Sequence, residues 1–129
     1  MAKTNVVGWF EIYVNDMDRA ANFYQAVLEK TLEDMSDPTD SGMQMMSFPM
    51  DETMSMYGAP GALVKMEDFG PSVGGTLVYF AVDDCAVEES RVVAAGGKVT
   101  KSKQSLGEFG FMSLCKDTEG NIFGLHSMK

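Results

Sequence analysis

Histidine, cysteine and basic charge are scarce in this chain of 129 residues, which has one His, two Cys and 10 Lys plus Arg against 19 Asp plus Glu. The resulting formal charge of −9 repels phosphate backbones and anionic membrane surfaces, so neither nucleic acid nor membrane is an expected partner. The basic cluster Lys98, Lys101 and Lys103 has no interleaved aromatics and reads as a solvated edge. Cys85 and Cys115 stand in no CxxC spacing, which leaves no multi-bridge framework and no zinc or redox motif; both read as reduced structural thiols. No stretch reaches the roughly 18 to 20 apolar residues of a membrane span. The first ten residues contain no uninterrupted apolar run and no small-residue cleavage site, so a cytoplasmic location is expected. Nucleophile-elbow and dinucleotide fingerprints are missing. Gly96-Gly97-Lys98 is no phosphate loop, because Val92 and Val99 stand where Gly and Ser or Thr belong, and a helix precedes it.

What the chain does have is an internal repeat. Residues 8 to 16 (GWFEIYVND) lie over residues 76 to 84 (TLVYFAVDD) at a constant offset of 68, each an apolar strand that ends in Val-x-Asp and runs into a helix-like stretch. Hydrophobic content of 45% with 22% charged residues suits a single globular domain of this length. Its two modules span about residues 5–67 and 75–128.

In the first copy Val6 to Val14 reads as a strand, with Trp9, Glu11 and Tyr13 on one face and Phe10, Ile12 and Val14 on the other. Asp16 follows as a helix cap, and Ala20, Phe23, Tyr24, Val27 and Leu28 recur at helical spacing. Residues 34–42 read as a loop, with strands expected near 44–48, 54–57 and 62–66 and a flexible connection over 67–75. The second copy repeats the order with a strand over 76–82, a cap at Asp84, a helix through Ala95 stopped by Gly96-Gly97, and strands over 110–116 and 121–127 around the Asp117–Gly120 turn. Methionine is abundant, with 12 in the chain and seven at positions 43, 45, 46, 50, 54, 56 and 66. Such adaptable side chains either fill irregular core, the favoured reading, or line a plastic pocket.

Val14-Asn15-Asp16-Met17-Asp18-Arg19-Ala20-Ala21-Asn22-Phe23-Tyr24 resembles the opening motif of the vicinal oxygen chelate superfamily, which includes glyoxalase I, bleomycin-resistance proteins and extradiol dioxygenases. Asp117-Thr118-Glu119-Gly120-Asn121-Ile122 is similar to its closing motif, with Thr118 in the place of the usual Pro. The resemblance implies an α+β fold of two βαβββ modules, whose curved mixed sheets enclose a cavity within a homodimer. It also implies a divalent metal held by His, Gln or Glu on the first and last strands of each module. Carried over residue by residue, those positions fall on Trp9, Leu77, Gly124 and an unaligned site near Leu63 to Lys65. Trp, Leu and Gly offer a cation no lone pair, so no metal and no other cofactor is expected. With a single His, even a rearranged cluster would lean on carboxylates.

Strand parity from these positions puts Glu11 and Tyr13 beside Trp9, Tyr79 and Ala81 beside Leu77, and Ile122 and His126 beside Gly124. An aromatic pocket follows, with Gly124 leaving empty volume next to a stacking surface at Trp9. Glu11 and His126 are the candidate acid-base pair; in the alternative, Glu11 bonds a neighbour and His126 is a structural strand-end residue. A Cys115–His126 dyad is disfavoured, because hairpin register separates them by about 12 Å at ~3.3 Å per residue. The functional expectation is a metal-independent, glyoxalase-like homodimer that binds a small, partly aromatic or apolar molecule in its cavity. A cationic ligand would suit the net charge. The alternatives are a lyase, isomerase or dioxygenase-like enzyme, metal-free through Glu11 and His126 or with a rearranged metal site, and a structural subunit whose cavity is filled.

Overall fold

A computed structural model describes residues 7, 9–36, 42–51 and 58–129. The elements in order are β1 (Phe10–Tyr13), α1 (Met17–Leu28), β2 (Glu33–Asp34), β3 (Met43–Ser47) and β4 (Gly61–Met66), then β5 (Val78–Ala81), α2 (Cys85–Val92), β6 (Lys98–Ser105), β7 (Phe111–Lys116) and β8 (Ile122–Ser127). They form two four-stranded sheets with spatial orders β1-β4-β3-β2 and β5-β8-β7-β6. In each sheet the first strand pairs parallel to the last and the other pairings are antiparallel. Both halves therefore have the βαβββ connectivity that the resemblance implies, and the fold is α+β with two open, mixed sheets.

The offset of 68 is kept in three dimensions. Asp16 and Asp84 both cap helices from extended backbone, Asp16 accepting the Arg19 N–H and Asp84 the Ala86 N–H at 3.0 Å. Each side-chain oxygen satisfies one of the orphan donors at a helix start, which is why Asp is favoured there. α1 ends at Glu29 in the left-handed region (φ 52°). α2 stops at Val92, three residues before the expected Ala95.

Two strands depart from the sequence expectation. β2 lies at the start of the anticipated 34–42 loop and has only two residues. β6 runs for eight residues, KVTKSKQS, where no strand was anticipated. It is an edge strand whose pairing with β7 is interrupted by register shifts, and lysines on such an edge discourage further strand addition. The strand expected over 54–57 lies outside the described residues.

Alternation gives each sheet a core face and an opposite face, and the opposite face is exposed at β1 and β5 but buried over much of β4 and β8. Ile12, Val14, Leu63, Phe123 and Leu125 are buried in the core, under a cluster of rings drawn from both halves. Phe10, from β1, meets Phe80, from β5, edge-on at 6.1 Å, and Tyr24 from α1 lies 5.5 Å from Phe123 in β8 and 5.8 Å from Phe80. Edge-to-face and tilted arrangements of this kind add to the area term. The first helix thus packs across the second module as well as its own.

Candidate functional site

Opposite the core, β1 presents Glu11 and Tyr13, with Trp9 just ahead of it. Glu11 is held from both sides: the Tyr13 hydroxyl donates to its Oε1 at 2.7 Å and the Trp9 indole N–H to its Oε2 at 3.1 Å. The carboxylate, helped by partial burial, pushes the Tyr13 phenol above its ordinary 10.0 and keeps it a donor. Tyr13 also stacks on Phe69, centroids 5.3 Å apart at 27°. Period-two geometry, readable from the sequence, accounts for this trio; the stack on Phe69 comes from a turn in which Asp68 takes φ 71° and was not foreseen.

The second sheet shows Leu77 and Tyr79, 40% and 45% exposed, beside Gly124 and His126. His126 Nε2 lies 2.7 Å from the Phe109 carbonyl. Glu11 and His126 therefore sit on different sheets with separate partners. Gly124 does not leave a hole. A Cβ built there would run into the Tyr79 ring, which lies over the glycine from its cross-strand pair position. The same device recurs in the first sheet, where the Phe10 ring covers Gly61. An aromatic laid across a facing glycine fills the volume that the missing side chain would otherwise leave.

Strand registers also fix the fourth position that the sequence left unaligned. Glu11 pairs with Ala62 as Tyr79 pairs with Gly124, and Glu11 and Tyr79 stand 68 apart, so Ala62 is the counterpart of Gly124. The set Trp9, Ala62, Leu77 and Gly124 does not fit a metal ion. Among the described residues no group of three or more His, Cys, Asp or Glu is placed to hold one. Of the methionines, Met46 packs on the core, while Met43, Met45 and Met66 are half-buried and register places them on the same face as the buried Ala62 and Val64. Met54 and Met56 lie outside the described residues.

Cys115 is opposite Phe123 and His126 opposite Met112, as the hairpin reasoning required. Burial pushes the Cys115 thiol up to about 11, which leaves it inert at neutral pH. Cys85 is likewise buried and free. Of the basic cluster, Lys103 pairs with Asp84 at 2.9 Å and covers the Phe111 ring, while Lys98 and Lys101 are exposed.

The closing turn has a role that sequence reasoning did not assign. Asp117 Oδ1 accepts the N–H groups of Glu119 and Asn121, and its Oδ2 accepts the Tyr24 hydroxyl at 2.6 Å. Glu119, buried, accepts the backbone N–H groups of Asn15 and Asp16 at 2.9 Å and the Arg19 guanidinium at 2.7 and 3.0 Å. Burial alone would push the Glu119 carboxyl up; Arg19, the two backbone donors and Thr118 outweigh it and bring it down to about 2. Asn121 completes the clasp by donating to the Tyr13 carbonyl and accepting the Ser72 N–H. The two motifs about 100 residues apart in the chain thus meet, and they fasten the second module to the start of α1.

Between β1, the start of β5 and β8 lies a cleft of about 240 Å³, lined on one side by Glu11 and Tyr13 and on another by the connecting segment at Gly70, Ser72, Gly74 and Thr76.

Residues 6–125 match the family described as the Glyoxalase/Bleomycin resistance protein/Dioxygenase superfamily. The chain belongs to that superfamily. Among its relatives is CFP32 of Mycobacterium bovis and Mycobacterium tuberculosis, provisionally named a glyoxylase, 29% identical over 119 residues. That match takes in 91% of this chain and 43% of the relative, so the chain spans less than half of the curated protein it resembles. In structure the chain is similar to a glyoxalase I variant from Zea mays (TM-score 0.74, 18% identity, 94% of this chain and 45% of that one). It is also similar to a glyoxylase/bleomycin resistance protein/dioxygenase domain from Frankia sp. EAN1pec (TM-score 0.70, 17% identity, 98% and 100%). At these identities the structural likeness establishes the fold.

Proposed function

We propose that this superfamily member binds a small, partly aromatic or apolar organic molecule against the open faces of its sheets, as a homodimer and without the metal ion that the resemblance implies. The observation that carries the reading is the Glu11 carboxylate fixed between Trp9 and Tyr13 where a metal-binding strand would begin. Orientation by two donors pre-organises a polar anchor beside flat apolar surface, the combination that small-molecule sites use. Exposed Leu77 and Tyr79 supply further apolar surface on the second sheet, and a second copy of the chain would cover part of it. Turnover through Glu11 and His126 draws less support, since each is engaged by other groups.

Trp9 is the chain's one tryptophan, so its fluorescence reports directly on this site. Titration of a small-molecule library, with native mass spectrometry for stoichiometry, should find compounds that change Trp9 emission and bind a dimer. A flat response across the library would sink the proposal. Stoichiometric Ni, Zn, Fe or Mn in protein purified without chelator would replace it with metal-dependent chemistry.

A further inference from the structure

The cleft between the modules narrows the ligand class, on the reading that the chain binds a small molecule. Among the described residues its lining carries one charged group, Glu11; the rest are neutral, with the half-buried Val78 and Ile122 making the apolar wall and Ser72 and Thr76 supplying polar groups. A carboxylate has about four acceptor sites, and Trp9 and Tyr13 use two of them. Both donors are neutral, so neither compensates the negative charge, and among the described residues Glu11 makes no ion pair. A volume of about 240 Å³ lies below the roughly 300–1,000 Å³ typical of sites for drug-sized ligands. The connecting segment that forms one wall is pinned at two points, by the Phe69 ring on Tyr13 and by the Ser72 N–H on Asn121 Oδ1 at 2.8 Å. That pinning limits how far the cleft can widen.

We infer that this cleft selects a singly charged organic cation no larger than one ring with a short ammonium-bearing arm. The ammonium donates to the Glu11 carboxylate, which the Trp9 indole N–H and the Tyr13 hydroxyl hold in place, and the ring lies against the apolar wall. Charge-assisted hydrogen bonding favours a cation at that point.

The test compares benzylamine, benzyl alcohol and benzoate, equal in body and different in charge, by Trp9 fluorescence and calorimetry at pH 7 on the full chain and on Glu11→Gln. The inference requires benzylamine to bind about tenfold or more tightly than benzyl alcohol, benzoate to bind weakest, and the preference to vanish in Glu11→Gln. Thermal melting checks that the variant is folded, and Glu11→Lys should reverse the order of benzylamine and benzoate. Equal binding of the alcohol and the amine, or a preference that survives Glu11→Gln, overturns the inference while leaving a small-molecule binder. No binding by any of the three also overturns it, and failure of the wider library would then remove the underlying reading as well.

Discussion

Helices α1 and α2 start at equivalent aspartate caps 68 residues apart, yet α1 buries Met17, Ala20, Ala21, Phe23, Tyr24 and Val27, whereas α2 buries only Cys85 and Val92. At the offset, Ala20, Ala21 and Phe23 correspond to Glu88, Glu89 and Arg91. A helix keeps its place in the repeat on its cap and a few apolar contacts, even when half of its inner stripe has turned charged. The two modules thus share a topology while the burden of the core has moved to the first, whose helix reaches Phe80 and Phe123 of the second.

The sharpest way to break this comparison is to truncate the same position in both helices. Phe23→Ala removes a ring that is 1% exposed and should cost about 3–5 kcal/mol. Arg91 makes one bond to the Val27 carbonyl at 3.0 Å and ion pairs with Glu29 at 3.3 Å and the mostly buried Glu88 at 3.9 Å, so Arg91→Ala should cost about 1–2 kcal/mol. Urea unfolding followed by far-UV circular dichroism measures both, and one cooperative transition is expected because the ring cluster spans the modules. Equal losses, or two transitions, would mean that each module carries its own core.

A second effect separates the closing turn from the rest of the surface. The Glu119 carboxyl is ordinarily at 4.5 and is held at about 2 in the fold. A depressed carboxyl contributes stability that is fully present above its unfolded value and is lost as pH falls through its folded one. The window is therefore about pH 4.5 down to 2, and the loss is on the order of 3 kcal/mol as a ceiling, because the Arg19 partner is half-exposed and screened. Acid titration of stability should show this slope in the wild-type chain. Glu119→Gln should start lower at pH 7 and be flatter between pH 4.5 and 2; parallel curves would remove the clasp from the account.

These contrasts also mark what was legible in the sequence. Strand-cap-helix order was readable because Val-x-Asp and the helical spacing are local, and the open-face trio Trp9, Glu11 and Tyr13 followed from a period of two. β6 was not readable: its KVTKSKQS stretch has one aliphatic residue and lies on an edge with broken register, so it carries no apolar alternation. The clasp was invisible for a different reason, since Glu119 acts on residues 100 to 104 positions away and nothing local records that reach. Gly124 was misread as empty space because the occupant, Tyr79, is assigned only by cross-strand register.

The paired glycines give the smallest and most discriminating test. Both Gly61 and Gly124 lie under a facing ring, and an added Cβ must displace it. Phe10 is tied into the core through Phe48 at 5.7 Å and Phe80 at 6.1 Å, so Gly61→Ala should cost about 1–3 kcal/mol by overpacking. Tyr79 is 45% exposed and can swing outward, so Gly124→Ala should stay below about 1 kcal/mol while moving the Tyr79 ring on the open face. Thermal melts of the two variants measure the difference, and ring proton shifts of Tyr79 report the displacement. If Gly124→Ala proved the costlier of the two, the Tyr79 ring would be fixed as firmly as Phe10, and the second sheet's open face would be a packed surface with no room for a ligand to rearrange it.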